Sequence, residues 1–154
     1  MIRGLTVEQN ILVALEVHLH ARVQLREALD TLLDVFHLTP LRKASAAQLS
    51  GGERRRCEMA RALASNPSFI LLDEPFAGID PITVQEVRNL IGVIRDFGVG
   101  VLITDHNARE LLESVDRAYV INSGRVLMSG KPQDIVNDEI VRRIYLGGDF
   151  SSSF

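Results

Sequence analysis

Cysteine, strong net charge and long apolar runs are all scarce in this sequence, and each scarcity removes a class of protein. A single cysteine, Cys57, among 154 residues can form no intramolecular disulfide. Its place inside a predicted helix, with no histidine beside it, favours packing over nucleophilic chemistry. The continuous apolar runs, such as those at 69–72 and 99–103, fall far short of the ~20 residues a membrane helix needs. The first residues lack the basic segment, apolar stretch and cleavage site of a signal peptide, so the cytoplasm is the expected compartment. A net charge of -3 argues against a broad nucleic-acid surface, and the triplet Arg54, Arg55, Arg56 reads as a solvated helix face. What remains, 46% hydrophobic with 24% charged residues, is the composition of an ordinary globular domain.

The residues that are present change pattern partway along. Up to about Ala64 the sequence reads as helices. Thr6 with Gln9 forms a capping box, and Val7, Ile11, Leu15 and Leu19 recur at helical spacing. A second helix carries Ala28, Leu29, Leu32, Leu33 and Phe36, with Leu38, Thr39 and Pro40 as its expected stop. From Phe69 onward, short apolar runs at 69–72, 99–104 and 118–121 alternate with helices, the pattern of buried parallel strands in an α/β sheet. Asp80 caps a helix with Pro81 at its first position, and Val84, Val87, Ile91 and Ile94 supply that helix's buried face. Asn122, Ser123 and Gly124 form a turn before a strand at 126–128. Pro132 opens a final helix bearing Ile135, Val136, Ile140 and Ile144.

Two places have the makings of chemistry. Ser50 and Glu53 form a second capping box, and the intervening Gly51 and Gly52 would let a phosphate approach the backbone N–H groups at that helix start. The run at 69–72 ends in Asp73 and Glu74, two carboxylates at the C-terminal edge of a strand, where open α/β sheets bind ligands. Asp73 is placed to hold Mg²⁺ through water, and Glu74 to polarise a water for attack on a terminal phosphate. A neighbouring strand would deliver His106 beside them. His18, His20 and His37 lack metal-pair spacing, and no zinc site is expected.

Taken in order, Leu49 to Glu53, the strand ending in Asp73 and Glu74, then Ala77, Gly78, Ile79 and Asp80, then His106 resemble the ABC ATPases over almost the whole chain. The resemblance implies a partial P-loop NTPase fold of α/β class: a helical subdomain at about 1–64, then part of a parallel sheet with flanking helices at about 65–154. It implies a signature motif at Ser50, Gly51, Gly52 and Glu53, a strand ending in the Mg²⁺-binding Asp73 and catalytic Glu74, a nucleotide-facing Asp80 and a switch residue His106. Phe76 to Pro81, and the ending Tyr145, Leu146, Gly147, Gly148, Asp149, Phe150, look most like the lipopolysaccharide-export branch. That likeness implies ATP and Mg²⁺ as cofactors, a homodimer, and transmembrane permease subunits as partners. The location it implies is peripheral, on the cytoplasmic face of the inner membrane, with membrane contact only through the permease and no nucleic acid bound. The segment at 3–11 resembles the one that follows the family's Q-loop, near the groove for the membrane subunits.

One family element has no counterpart. A P-loop reads G-x-x-x-x-G-K followed by Ser or Thr, and in these residues Gly130 and Lys131 are followed by Pro132. A late start, a truncated reading frame or a fragment is the expectation, and with it an isolated chain that is inactive. Three alternatives differ in their predictions. A noncatalytic half-site protein would lend its signature motif to a complete partner. An ATPase of another ABC system, such as branched-chain amino-acid uptake, would keep the same motifs. A DNA-repair or chromosome ATPase head would need a coiled coil or zinc insertion, and neither is evident here.

Overall fold

The computed structural model describes residues 1–146, with the side chain of Leu146 left aside; of the ending at 145–150, residues 147–150 lie outside the described residues. The chain divides into two compact units. One comprises Met1–Leu72 with Asp80–Leu102, the other Asp73–Ile79 with Ile103–Phe154.

The first unit is built around four helices. Helix α1, Val7–Leu15, starts at the expected box: Thr6 accepts from the Gln9 backbone while the Gln9 side chain accepts from Thr6 N–H. Val7, Ile11 and Leu15 are buried as their spacing requires. Leu19 falls beyond the helix, which closes at Glu16. Fully buried Asn10 ties the preceding turn to α1, its Oδ1 accepting from Ile2 N at 2.8 Å and its Nδ2 donating to the carbonyls of Ile2 and Thr6 at 3.0 Å each. Helix α2, Arg22–Val35, buries Leu29, Leu32 and Leu33. It stops before the proline, because His37 turns into the left-handed region (φ 52°) and Leu38 N–H donates back to Leu33; Pro40 sits in a following 3₁₀ turn, Thr39–Leu41.

Helix α3, Gly51–Ala64, lays Cys57, Ala60 and Leu63 against the others. Its arginines depart from the solvated face expected: Arg54, Arg55 and Arg56 are half-buried. Arg54 donates to the Leu49 carbonyl, and Arg56 lies 3.6 Å from Glu86 of helix α4, Pro81–Asp96. Strands β1, Phe69–Asp73, and β2, Gly100–Thr104, pair with each other. They run parallel, as Gly100 N–H donates to Ser68 at one end and Glu74 N–H to Thr104 at the other.

In the second unit, helix α5, Ala108–Leu112, leads to an antiparallel hairpin of β3, Ala118–Asn122, and β4, Arg125–Gly130. The turn residues Ser123 and Gly124 both take positive φ (49° and 73°), which matches the twist of a two-residue hairpin loop. Helix α6, Pro132–Asn137, covers one face, and Ile135, Val136 and Val141 pack with Leu112 and Ala118, joined by Val115, Val120 and Met128. The expected final helix is broken. Asp138 is extended (ψ 124°) and caps a short α7, Glu139–Val141, followed by a π-helical turn, Arg142–Leu146, leaving Ile140 and Ile144 exposed.

The expected turn at Asn122, Ser123 and Gly124 joins β3 to β4, and among the described residues β3 bonds to β4 alone. The expectation of buried strands needs a correction: Phe69 is 71% exposed, Leu71 72% and Leu102 55%. Continuous apolarity records which residues a sheet could bury, whereas exposure depends on the layers laid over it.

Candidate functional site

The acidic end of β1 is assembled by the end of β2. Thr104 Oγ1 donates to Asp73 Oδ1 at 2.6 Å, which fixes the carboxylate's rotamer. The next residue, Glu74, takes a left-handed backbone (φ 48°), a conformation that costs a non-glycine residue about 1–3 kcal/mol and persists only where neighbours enforce it. The enforcing contacts are its own N–H, donating to the Thr104 carbonyl at 2.7 Å, and the buried Pro75 and Phe76 that follow. Its side chain is thereby directed to His106, with Glu74 Oε1 3.5 Å from His106 Nδ1.

Both side chains of that pair are mostly open to solvent, at 56% for Glu74 and 70% for His106. A contact so hydrated contributes little to stability, and both groups stay open to an incoming molecule. Asp73 is exposed too. No cluster of three or more His, Cys, Asp or Glu suited to a metal occurs among the described residues. A single anchored hard oxygen nevertheless fits Mg²⁺, which keeps most of its waters and takes one or two carboxylates plus substrate phosphates.

The remaining sequence-singled residues belong to the first unit. Ser50 caps α3: its Oγ accepts from Glu53 N, while Glu53 Oε2 accepts from Ser50 N–H at 2.8 Å and from the Ser50 hydroxyl at 2.7 Å. The Ser50 hydroxyl and then its backbone N–H hold the Glu53 carboxyl below its ordinary pKa. A Cβ at Gly51 or Gly52 would meet nothing within 4 Å, so packing does not require glycine there. At these first two helical positions glycine leaves a bare backbone at a helix N-terminus that an anion can approach closely. Asp80 caps α4 as expected, accepting from Ile82 N and Thr83 N, with the Thr83 hydroxyl donating at 2.5 Å. Those Thr83 bonds lower its pKa. Gly78 in the same loop sits at φ 66°.

The structure therefore brings Asp73, Glu74 and His106 together, and within the first unit it sets Ser50, Gly51, Gly52 and Glu53 at the start of α3 and Asp80 at the start of α4. Sequence reasoning passed over Thr104 and the strained Glu74 backbone. The visible signal was the hydroxyl residue closing the apolar run two residues before His106. His18, His20 and His37 are exposed. Cys57 is fully buried, and burial pushes its thiol pKa up to about 11.

Residues 1–77 match the family described as ABC transporter, and residues 125–151 match the one described as branched-chain amino acid ATP-binding cassette transporter. An ABC transporter ATP-binding protein of Rhizobium meliloti is 57% identical over 97% of this chain and 55% of its own length. The lipopolysaccharide export system ATP-binding proteins LptB of Haemophilus influenzae and Escherichia coli are each 49% identical over 96% of this chain and 62% of theirs. The chain thus spans a little over half the length of the curated relatives it matches. Among solved structures, cbiO1 of Clostridium perfringens, part of the transporter complex cbiONQ, superposes with a TM-score of 0.81 at 26% identity, covering 93% of this chain and 58% of that one. The ADP conformation of MJ1267, an ATP-binding cassette of an ABC transporter, gives 0.77 at 26% identity over 94% of this chain and 64% of that one. With half of its length matched by the family and its fold that of the solved cassettes, the chain belongs to the ATP-binding proteins of ABC transporters.

Proposed function

We propose that these residues form the signature-bearing and catalytic part of an ATP-hydrolysing subunit that drives lipopolysaccharide export. Glu74 is the general base for the attacking water, His106 holds the charge that develops on the terminal phosphate, and Asp73 carries Mg²⁺ through water. Mg²⁺ when bound would neutralise phosphate charge. Ser50, Gly51, Gly52 and Glu53, in the helical part at about 1–64, present a helix N-terminus to the ATP held by the opposite subunit of a homodimer, and Asp80 lines that shared site. The part at about 65–154 supplies the catalytic edge. Transmembrane permease subunits receive the work, and the dimer is peripheral on the cytoplasmic face of the inner membrane; no helix among the described residues is long and apolar enough to cross it.

The observation that carries this reading is the exposed Glu74–His106 pair at 3.5 Å, beside an Asp73 that Thr104 holds in place. Phosphate cradling would come from a P-loop, which these 154 residues do not contain, so the isolated chain neither binds MgATP tightly nor hydrolyses it. The test is a fusion that places a P-loop-bearing segment ahead of Met1. Phosphate release from MgATP by the fusion, with none from the 154-residue chain, is expected. Sustained turnover by the chain alone would overturn the reading.

Branched-chain amino-acid uptake is a second reading, favoured by the match at 125–151. Stimulation of the fusion's ATPase by lipopolysaccharide-exporting membrane subunits, against stimulation by amino-acid permease subunits, separates the two.

A further inference from the structure

The geometry points to Asp105 as a positioning residue that sets the Glu74–His106 pair, through a buried carboxylate bridging the two loops that carry them. The inference rests on the reading that Glu74 and His106 carry out hydrolysis. Asp105 is the residue between Thr104 and His106, and its side chain is fully buried although its neighbour His106 is 70% exposed. Burying a carboxylate is costly unless hydrogen bonds replace its water. Here each oxygen has its own donor: Oδ2 accepts from Phe76 N at 2.8 Å and Oδ1 from Asn107 N at 2.8 Å.

The bond to Asn107 is local, spanning two residues, and serves as an ordinary Asx turn at the start of α5. The bond to Phe76 is different, since it crosses 29 residues and reaches the loop that follows Glu74. Glu74 is thereby bracketed. Its own N–H is held by the Thr104 carbonyl and the amide two residues on by the Asp105 carboxylate, and between these anchors lies the left-handed backbone at φ 48°. Release of the second anchor would let that strained residue relax toward commoner conformations and swing its side chain away from His106. Asp105 Oδ1 also lies 3.8 Å from His106 Nδ1, outside hydrogen-bond distance, and the one carboxylate fixes the chain just after Glu74 and just after His106.

Asparagine at this position keeps volume and one acceptor but must turn an N–H₂ toward one of the two donors. The test uses the whole chain in the P-loop-bearing fusion, measuring kcat, KM for ATP and thermal melting for Asp105→Asn and for Asp105→Ser, the smaller variant guarding against misfolding of the first. We expect kcat to fall by on the order of 10²-fold, the loss that a displacement of about 1 Å can cause. The KM should stay within about threefold, since ground-state binding is untouched. Glu74→Gln is the control that separates the two ideas. If Glu74→Gln abolishes turnover while a folded Asp105 variant keeps wild-type kcat, the positioning role alone falls. If Glu74→Gln turns over normally, the catalytic reading falls and the positioning role with it. A change confined to KM or to melting temperature also overturns it.

Discussion

At the scale of single residues, side chains close in sequence set where the helices begin, while the acidic edge of β1 is set by residues of β2 far along the chain. The boxes Thr6 with Gln9 and Ser50 with Glu53, and the Asp80–Pro81 helix start, need only a three-residue spacing, and all three formed as expected. The strained Glu74 depends on the Thr104 carbonyl thirty residues on, and the Asp73 rotamer on the Thr104 hydroxyl, contacts that no local pattern announces. Cys57 was read as packing, and its burial gives a measurable consequence. With the thiol pKa at about 11, the thiolate fraction at neutral pH is on the order of 10²-fold below that of a free cysteine. Reaction with a chromogenic disulfide reagent should therefore be slow in the folded chain and rise with denaturant alongside the loss of helical signal. Rapid labelling under native conditions would mean that α3 is not packed as described.

At the scale of elements, helices were more legible than strands, because a helix states its buried face within its own period while a strand's partners lie elsewhere. The apolar stripe of α2 was correct, but its end was set by the left-handed turn at His37 and not by Pro40. The run at 118–121 was a strand, yet its pairing with β4 could not be read from apolarity. What links the helices is partly ionic. Glu8 of α1 pairs with Lys43 and, at 2.7 Å, with Arg42, which also reaches Asp30 of α2 at 2.7 Å. The hydrogen bonds from Lys43 and then Arg42 hold the Glu8 carboxyl below its ordinary pKa.

A lowered folded pKa places this contribution at full strength above the ordinary glutamate range and removes it as pH falls through the folded value. Urea unfolding of the wild type and Glu8→Gln across that range should show a stability gap that is constant near neutrality and closes on acidification. A gap independent of pH would show that the ion cluster does not stabilise the unit.

At the scale of the molecule, the notable feature is apolar surface on strands. Phe69, Leu71 and Leu102 on the parallel pair, and Tyr119, Ile121 and Val126 on the hairpin, are each more than half exposed. Two-stranded sheets also offer unpaired edges, and exposed apolar edges template association. Sedimentation of the purified 154-residue chain should accordingly show concentration-dependent association; a species that stays monomeric at all concentrations would contradict this. The same distribution explains why the sequence suggested a buried sheet: the strands have the composition of a core, and the surrounding layers decide whether it becomes one.

The central claim is that Glu74, set at the edge of β1 by the end of β2, is the base for ATP hydrolysis, and one measurement tests it most directly. In the P-loop-bearing fusion, equilibrium binding of MgATP and single-turnover phosphate release are compared for the wild type and Glu74→Gln. Loss of a positioned general base with shape preserved should leave ATP affinity unchanged while slowing phosphate release by roughly 10²–10⁴-fold, whereas phosphate release at the wild-type rate in Glu74→Gln would contradict the account.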